Sequence, residues 1–586
     1  MSTMLKLLLL ASPLAIAAAL PGPAPVGALG PDQPLAELFP ASTVAYVEAP
    51  AAGALFDREG VDRLLDAAQA RGILDSATRG RIQGGLLLAS LFAGGDPFEL
   101  AGHLLHDGVA LGIAPAEGWG RSKPSWGMVL RGDDPEVLQT ALDRAFAELE
   151  ERYDAVGQLG QPHATERGVD LWMLGEDLAL GRHGATLFAA SSRGFLDELL
   201  ARAAEGGESL ATRPGFALPT GDVAVWLDRM GTAELGGDNA KLAKLGDAAH
   251  LPQIQFLLGA GMAELAGAST FGLGLDLSAE GIALELVGHS PAERTGLAPR
   301  AAGPAPRLGA AATLGGALLH RDFAAIVDRR NELFAPEMQP KFNKALGDLA
   351  LLFGGMEIDE DLLPAIGAWI ELGVAELDFT GLPEPDLPLP GLVAIFEIDP
   401  RRERNFVAGF QTAVSISNTE RAQNGEPPFT LLLGLEGETT VSSGHLPVPA
   451  DGEPVDTDYN LAPACAYRDG VLVLGTHEAI VRAALRDLAQ GEATAGTTPA
   501  ITEHMHVSGA PLAALVASSE EYLVMQAILE DGKTREEALA ETRIVRTVLA
   551  ALDSATLELD HRGDELVLGL DLRLVEAIGS ESAEQR

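Results

Sequence analysis

The chain has 586 residues with 84 acidic against 41 basic side chains, a formal net charge of −43. That balance repels nucleic acid and anionic lipid and argues against either as a partner. The one cysteine, Cys465, excludes an intramolecular disulfide and a zinc–cysteine site, so stability is left to packing.

In chain order, Lys6 is followed by an apolar run from Leu7 to Leu20, with small residues at Ala17-Ala18-Ala19. This is the pattern of a secretory signal peptide, with cleavage expected after Ala19 or as late as Ala28. The run falls short of the about 20 residues a membrane span needs, and no later segment is long and apolar enough. No cysteine follows it, so no lipoprotein attachment is expected. The mature chain is therefore expected in the periplasm or on the surface of a bacterium. Residues 20–34 read as a flexible N-terminal segment.

From residue 35 onward the sequence repeats itself. In the region 35–288, Gly94-Gly95-Asp96 leads through Leu104-Leu105 to a strand Val109–Ile113. A strand from Trp126 to Leu130 runs into Asp134-Pro135, an N-cap carboxylate followed by a proline suited to the first helical position. The strand Ala185–Ser191 precedes a helix with Phe195, Leu196, Leu199 and Leu200 on one face. A hairpin runs from Leu273 to Leu286.

Residues 289–310 are rich in Pro, Ala and Arg without apolar periodicity and read as a linker. The same features then return in the region 311–575. Gly354-Gly355 leads through Leu362-Leu363 to Trp369–Leu372, and Leu392–Phe396 runs into Asp399-Pro400. Gly470–Thr476 precedes a helix with Ile480, Val481, Ala484 and Leu485, and a hairpin spans Leu557 to Leu570. The order is kept, with offsets from 260 (Gly94 to Gly354) to 285 (Ser191 to Thr476). Ser191 and Thr476 are each expected to cap the following helix. Most of the added length lies in an insertion at 424–457, where Leu431–Leu435 and Thr439–Ser442 suggest an extra hairpin. A polar tail occupies 576–586. The expected fold class is α+β: two tandem copies of a mostly antiparallel sheet with helices packed on one face.

Chemistry-bearing patterns are sparse. His504 and His506 lie two apart on an expected strand, so they share a face, and Glu503 is adjacent. These three are the candidates for a metal or for a hydrolase site between the halves; no full ligand set, catalytic residue or cofactor site is assigned. His103-x-x-His106 ends a helical segment and reads as a surface pair. No nucleophile elbow, zincin motif or phosphate loop occurs. Gly315-Gly316 and Gly236-Gly237 read as turns. The acidic run Glu357–Asp361 suits the first turn of a helix. Cys465 and the tryptophans Trp126, Trp172, Trp226 and Trp369 read as core.

The opening Phe39-Pro40-Ala41-Ser42-Thr43-Val44 and the run Gly354–Pro364 resemble an exported bacterial domain-of-unknown-function family, number three-three-five-two. The strand ending Glu397-Ile398-Asp399-Pro400 and the turn Asp469–Thr476 add to that resemblance, which supplies no catalytic residues. A non-enzymatic role in binding or scaffolding an envelope component is thus the first expectation. A carrier or chaperone for an apolar ligand is the alternative, with helices Leu251–Ala266 and Ile544–Leu552 as possible walls of its groove.

Overall fold

The structure, a computed structural model, describes residues 33–55, 97–115, 123–153, 161–166, 168–175, 178–234, 268–278, 281–289, 304–333, 336, 339–354, 356–380, 382–448, 455–494, 503–562 and 565–575. The apolar N-terminal run, Gly94-Gly95-Asp96, Gly236-Gly237, the stretch 251–266, the linker up to residue 303 and the tail 576–586 lie outside the described residues. Among the described residues, one compact unit holds 33–234 and 268–289 and a second holds 304–575.

The first unit contains strands β1 (Ala45–Ala49), β2 (Val109–Ala114), β3 (Ser125–Arg131), β4 (Ala164–Glu166) and β5 (Val169–Met173). It continues with β6 (Ala179–His183), β7 (Thr186–Ala190), β8 (Val223–Asp228), β9 (Thr270–Leu277) and β10 (Gly281–His289). All pair antiparallel, in the order β4-β5-β6-β7-β3-β2-β1-β8-β9-β10. The second unit contains β11 (Gly315–His320), β12 (Ile366–Ala375), β13 (Gly391–Ile398), β14 (Thr430–Glu436) and β15 (Thr439–His445). Its remaining strands are β16 (Ala464–Arg468), β17 (Val471–Gly475), β18 (Glu503–Ser508), β19 (Leu552–Arg562) and β20 (Glu565–Leu574). These too pair antiparallel, in the order β14-β15-β16-β17-β13-β12-β11-β18-β19-β20. The fold class is α+β.

The two orders are the same when each strand is advanced by ten, and the registers agree as well. One row across the first sheet runs Trp172, Leu180, Ala189, Met128, Leu111, Val47, Val225, Leu273, Leu286. Its counterpart in the second runs Ser442, Cys465, Leu474, Ala394, Leu372, Ala317, Met505, Leu557, Leu570. The hairpin at 430–445 therefore holds the place of β4 and β5 and is not an addition to the unit. The sequence hid this because β4 has three residues, too few to show alternation.

The helices that matter here are α1 (Pro97–Leu104), α2 (Pro135–Tyr153), α3 (Arg193–Glu205), α4 (Arg229–Glu234), α5 (Phe323–Asp328) and α6 (Gln339–Leu352). They are followed by α7 (Glu403–Asn424), α8 (Glu478–Thr494), α9 (Gly509–Ser518), α10 (Glu520–Asp531) and α11 (Arg535–Ala551). They pack on both faces of each sheet, which corrects the expectation of one. In the first unit Val129, Phe188 and Ala190 pack with Phe195, Leu196 and Leu199 of α3. The alternate residues Trp126, Met128, Leu187 and Ala189 pack with Leu138, Leu142 and Phe146 of α2. In the second, Val393, Ile395 and Val473 meet Ile480, Val481 and Ala484 of α8. Phe396, Leu472 and Leu474 meet Phe406 and Phe410 of α7, with Cys465 among them. The central strands are apolar at both parities, so both faces must be covered. Burial pushes the Cys465 thiol up to about 12, as befits a core side chain.

Local chemistry sets the junctions. Asp134 accepts from the N–H of Glu136 at 2.8 Å, and Asp399 from that of Arg401 at 3.0 Å, so both carboxylates cap as expected. The Asp399 carboxyl lies at about 2, held down by hydrogen bonds from Arg401. Ser191 and Thr476 do not cap. Each hydroxyl accepts the N–H of the first apolar residue of the neighbouring strand, Trp126 or Leu392, at 2.9 Å. The same two residues return a carbonyl to the N–H of Ser191 and Thr476, at 2.9 Å in both. The cap falls one residue later, on Ser192 and on His477, whose ring nitrogen accepts from the Ala479 N–H at 3.1 Å. Gly315-Gly316, expected as a turn, instead opens β11, where a Cβ on Gly316 would meet the His506 ring at 2.8 Å. The turn between β16 and β17 has positive φ at both Asp469 (49°) and Gly470 (88°), the geometry a tight two-residue hairpin needs.

The C-terminal end of the expected linker is anchored. Buried Glu371 accepts from the N–H groups of Arg307 (2.7 Å) and Leu308 (2.6 Å). Asp487 accepts from those of Gly309 and Ala311, both at 2.9 Å.

The Ser191 hydroxyl is buried, so removing it leaves the Trp126 N–H without a partner. Ser191→Ala should cost about 1–3 kcal/mol in urea unfolding. An unchanged midpoint would show that the cross-strand bond is not formed.

Candidate functional site

The three residues singled out for metal or hydrolytic chemistry do not converge. His504 and His506 share one face of β18, with rings stacked 5.9 Å apart. Burial, reinforced by the neighbouring His506, lowers the pKa of His504 and favours a neutral ring. Glu503 points to the opposite face, as strand alternation requires. There it forms a buried ion pair with Arg321 at 2.7 Å. Among the described residues, no cluster of three His, Cys, Asp or Glu side chains is placed to hold a metal ion. His103 and His106 are each tied to a carboxylate, Asp133 at 2.9 Å and Asp107 at 2.8 Å.

A polar constellation that sequence reading missed lies where β15 meets the start of α8. Ser443 Oγ donates to Glu478 at 2.7 Å and lies 3.0 Å from His445 Nε2, which also meets Glu478. Serine and carboxylate meet the same ring nitrogen, so among the described residues the imidazole has no separate carboxylate to orient it as a general base. Ser443 is also buried. Hydrogen bonds from His445, Ser443 and Arg482 hold the Glu478 carboxyl at about 2. Arg482 links Glu478 to Glu436 of β14, at 2.7 and 3.0 Å. The first unit has the same bridge with the helix charges exchanged: Arg193 joins Glu166 of β4 (2.6 Å) and Asp197 (2.7 Å). The constellation is a brace between helix and hairpin.

Among the described residues, a space with room for a ligand is a cavity of about 650 Å³ in the second unit, between α7 and the sheet. Phe410, Ala413, Val414 and Ser417 of α7 form its roof. Leu372 and Val374 of β12, Leu392 and Ala394 of β13, and Leu474 of β17 form its floor, with Thr476 at one side. Among the described residues, no charged one lines it. Leu392, 52 % exposed, marks its opening to solvent.

Packing explains why the space exists. The N-terminal half of α7 is drawn down by Phe406, whose ring meets Phe353 edge-on at 5.6 Å. Gly409 permits that approach, because a Cβ there would lie 2.7 Å from the Phe353 ring. Further along, Asn418 brackets the backbone of Phe429, donating at 2.8 Å and accepting at 2.6 Å. Arg421 stacks over the same ring at 5.0 Å. These ties hold helix and loop as a fixed wall without filling the space beneath. The first unit fills its equivalent rows with larger side chains on the central strand: Trp126 stands where the second has Leu392, and Met128 where it has Ala394. Leu474 in place of Ala189 and Thr476 in place of Ser191 are changes in the opposite sense.

His477 adds a pH dependence. Burial lowers its pKa to about 4, with the His445 charge acting in the same sense. Its unfolded value is near 6.5. Between those values the unfolded chain takes up a proton that the folded one refuses, so stability falls as pH drops through that window. Glu478, depressed to about 2, loses its contribution only below about 4.5. From pH 7 to pH 5 the parent chain should therefore lose about 2 kcal/mol more than His477→Gln, measured by urea unfolding. Equal losses would show that the ring is protonated in the folded state.

No family model matches the chain, and no curated protein matches it. Among solved structures it is similar to crystal forms I and III of TP0453, at 12 % and 10 % identity. These matches cover 45 % and 44 % of this chain and 81 % and 80 % of the other, with a TM-score of 0.21 in each case. A likeness of that size carries no argument about fold or function.

Proposed function

We propose that this chain is a non-enzymatic binding protein whose second unit takes an apolar ligand in the cavity beneath α7. The observation that carries this reading is the cavity itself. Its volume of about 650 Å³ falls within the about 300–1,000 Å³ typical of small-molecule sites. Its walls offer hydrocarbon, with Ser417 and Thr476 as the polar side chains. An ionised group placed against these walls would find no cation to offset its desolvation, so the buried part of the ligand is uncharged.

Two further elements of the reading rest on sequence and topology. The shared strand order and register support a tandem duplication, in which one copy closes the α2 face with Trp126 and Met128 while the other leaves room. The apolar run Leu7–Leu20 and the small residues after it support export to the bacterial envelope. The resemblance to the exported family of unknown function agrees with that location.

An uncharged fluorescent probe such as N-phenyl-1-naphthylamine tests the site. Titration of the mature chain should saturate at one probe per chain and be reversed by a long-chain alcohol. Ala394→Met, which installs the side chain of the matching position in the first unit, should weaken binding tenfold or more, about 1.4 kcal/mol, without lowering the unfolding temperature. Absence of saturable binding in the parent chain, or equal binding by the variant, would contradict the assignment.

A further inference from the structure

We infer that two copies of this chain associate by antiparallel pairing of β14 with β14. Among the described residues, β14 pairs on one side with β15 and has no strand on the other. An edge strand presents a row of free backbone donors and acceptors, and proteins ordinarily blunt it by shortness, charge or proline. The first unit does so: its edge strand β4 is Ala-Thr-Glu, three residues long. In the second unit β14 is Thr-Leu-Leu-Leu-Gly-Leu-Glu, seven residues with no proline and no charge before Glu436, and of its carbonyls that of Leu435 accepts from Arg482 at 2.7 Å. Leu433 and Leu435 are 73 % and 66 % exposed.

The strand is complementary to itself. Antiparallel pairing about a twofold axis at Leu433 sets Leu431 against Leu435 and Leu433 against its own copy. All six of those side chains lie on one face, because directly opposed residues share a face. On the other face Leu432 meets Gly434. Such a pairing is isologous and closes at two copies, whereas an unblunted edge without a twofold would recruit chains indefinitely. Charge does not forbid it locally, although the whole chain carries −43. Glu436, the one charge on the strand, is already held by Arg482 at 3.0 Å and Arg486 at 3.1 Å. Repulsion between the remaining surfaces is screened by salt, so association should strengthen as ionic strength rises.

Analytical ultracentrifugation of the mature chain, from about 1 to 100 µM, reads this directly. A monomer–dimer equilibrium is expected, tighter at about 1 M salt than at about 0.05 M. Leu433→Lys with Leu435→Lys should abolish the dimer while leaving the circular dichroism and melting temperature of the monomer unchanged. Leu433→Cys should form an intermolecular disulfide under mild oxidation, whereas the parent chain, whose Cys465 is 1 % exposed, should not. A parent chain that stays monomeric throughout, or a double-lysine variant that still dimerises, overturns the inference.

Discussion

Antiparallel register is the constraint on which everything else here depends. Side chains alternate between the two faces of a strand, so a slip of one residue would exchange every buried and exposed position. The reciprocal bonds of Ser191 with Trp126, and of Thr476 with Leu392, lock that register at the centre of each sheet. They tie β7 to β3 and β17 to β13, the strands that must be apolar on both sides. Once the register is set, Phe188 faces α3 and Leu187 faces α2, and the same division follows for Val473 and Leu472.

A shared frame lets the two units differ in content without differing in topology. The ion-pair brace between helix and hairpin is present in both units with its helix charges exchanged, because only complementarity is required. On the face covered by α2 in one unit and α7 in the other, the central strand loses bulk in passing from Trp126 and Met128 to Leu392 and Ala394. A packed interior is the more stable arrangement, so an open apolar space is a cost the second unit bears. Its roof is nevertheless held by Phe353, Asn418 and Arg421 rather than left to collapse.

Much of the frame was legible in the sequence. The Asp-Pro junctions, the strand-turn-helix units and the terminal hairpins have short-range causes, and the structure shows them at Asp134, Asp399, β7, β17 and β19–β20. Features with long-range causes were not legible. Ser191 and Thr476 looked like caps because their bonding partners lie on strands 65 and 84 residues away. Helices cover both faces because the central strands are apolar at both parities, whereas the end hairpins alternate and signal only one covered face. Glu503 could be assigned to the opposite face by parity alone, but its partner Arg321 lies 182 residues away. The cavity had no sequence signal of its own. It emerges only when Ala394 and Met128 are placed at the same register position.

On the proposed function, an uncharged, apolar molecule occupies the cavity beneath α7 when the protein does its work. Native mass spectrometry of the protein, purified without detergent from the organism that makes it, is the direct test. A bound species of one molecule per chain is expected, extractable into organic solvent and carrying a hydrocarbon portion. A chain that flies at its bare mass, together with a crystal structure in which side chains fill the space between Ala394 and Val414, would contradict it.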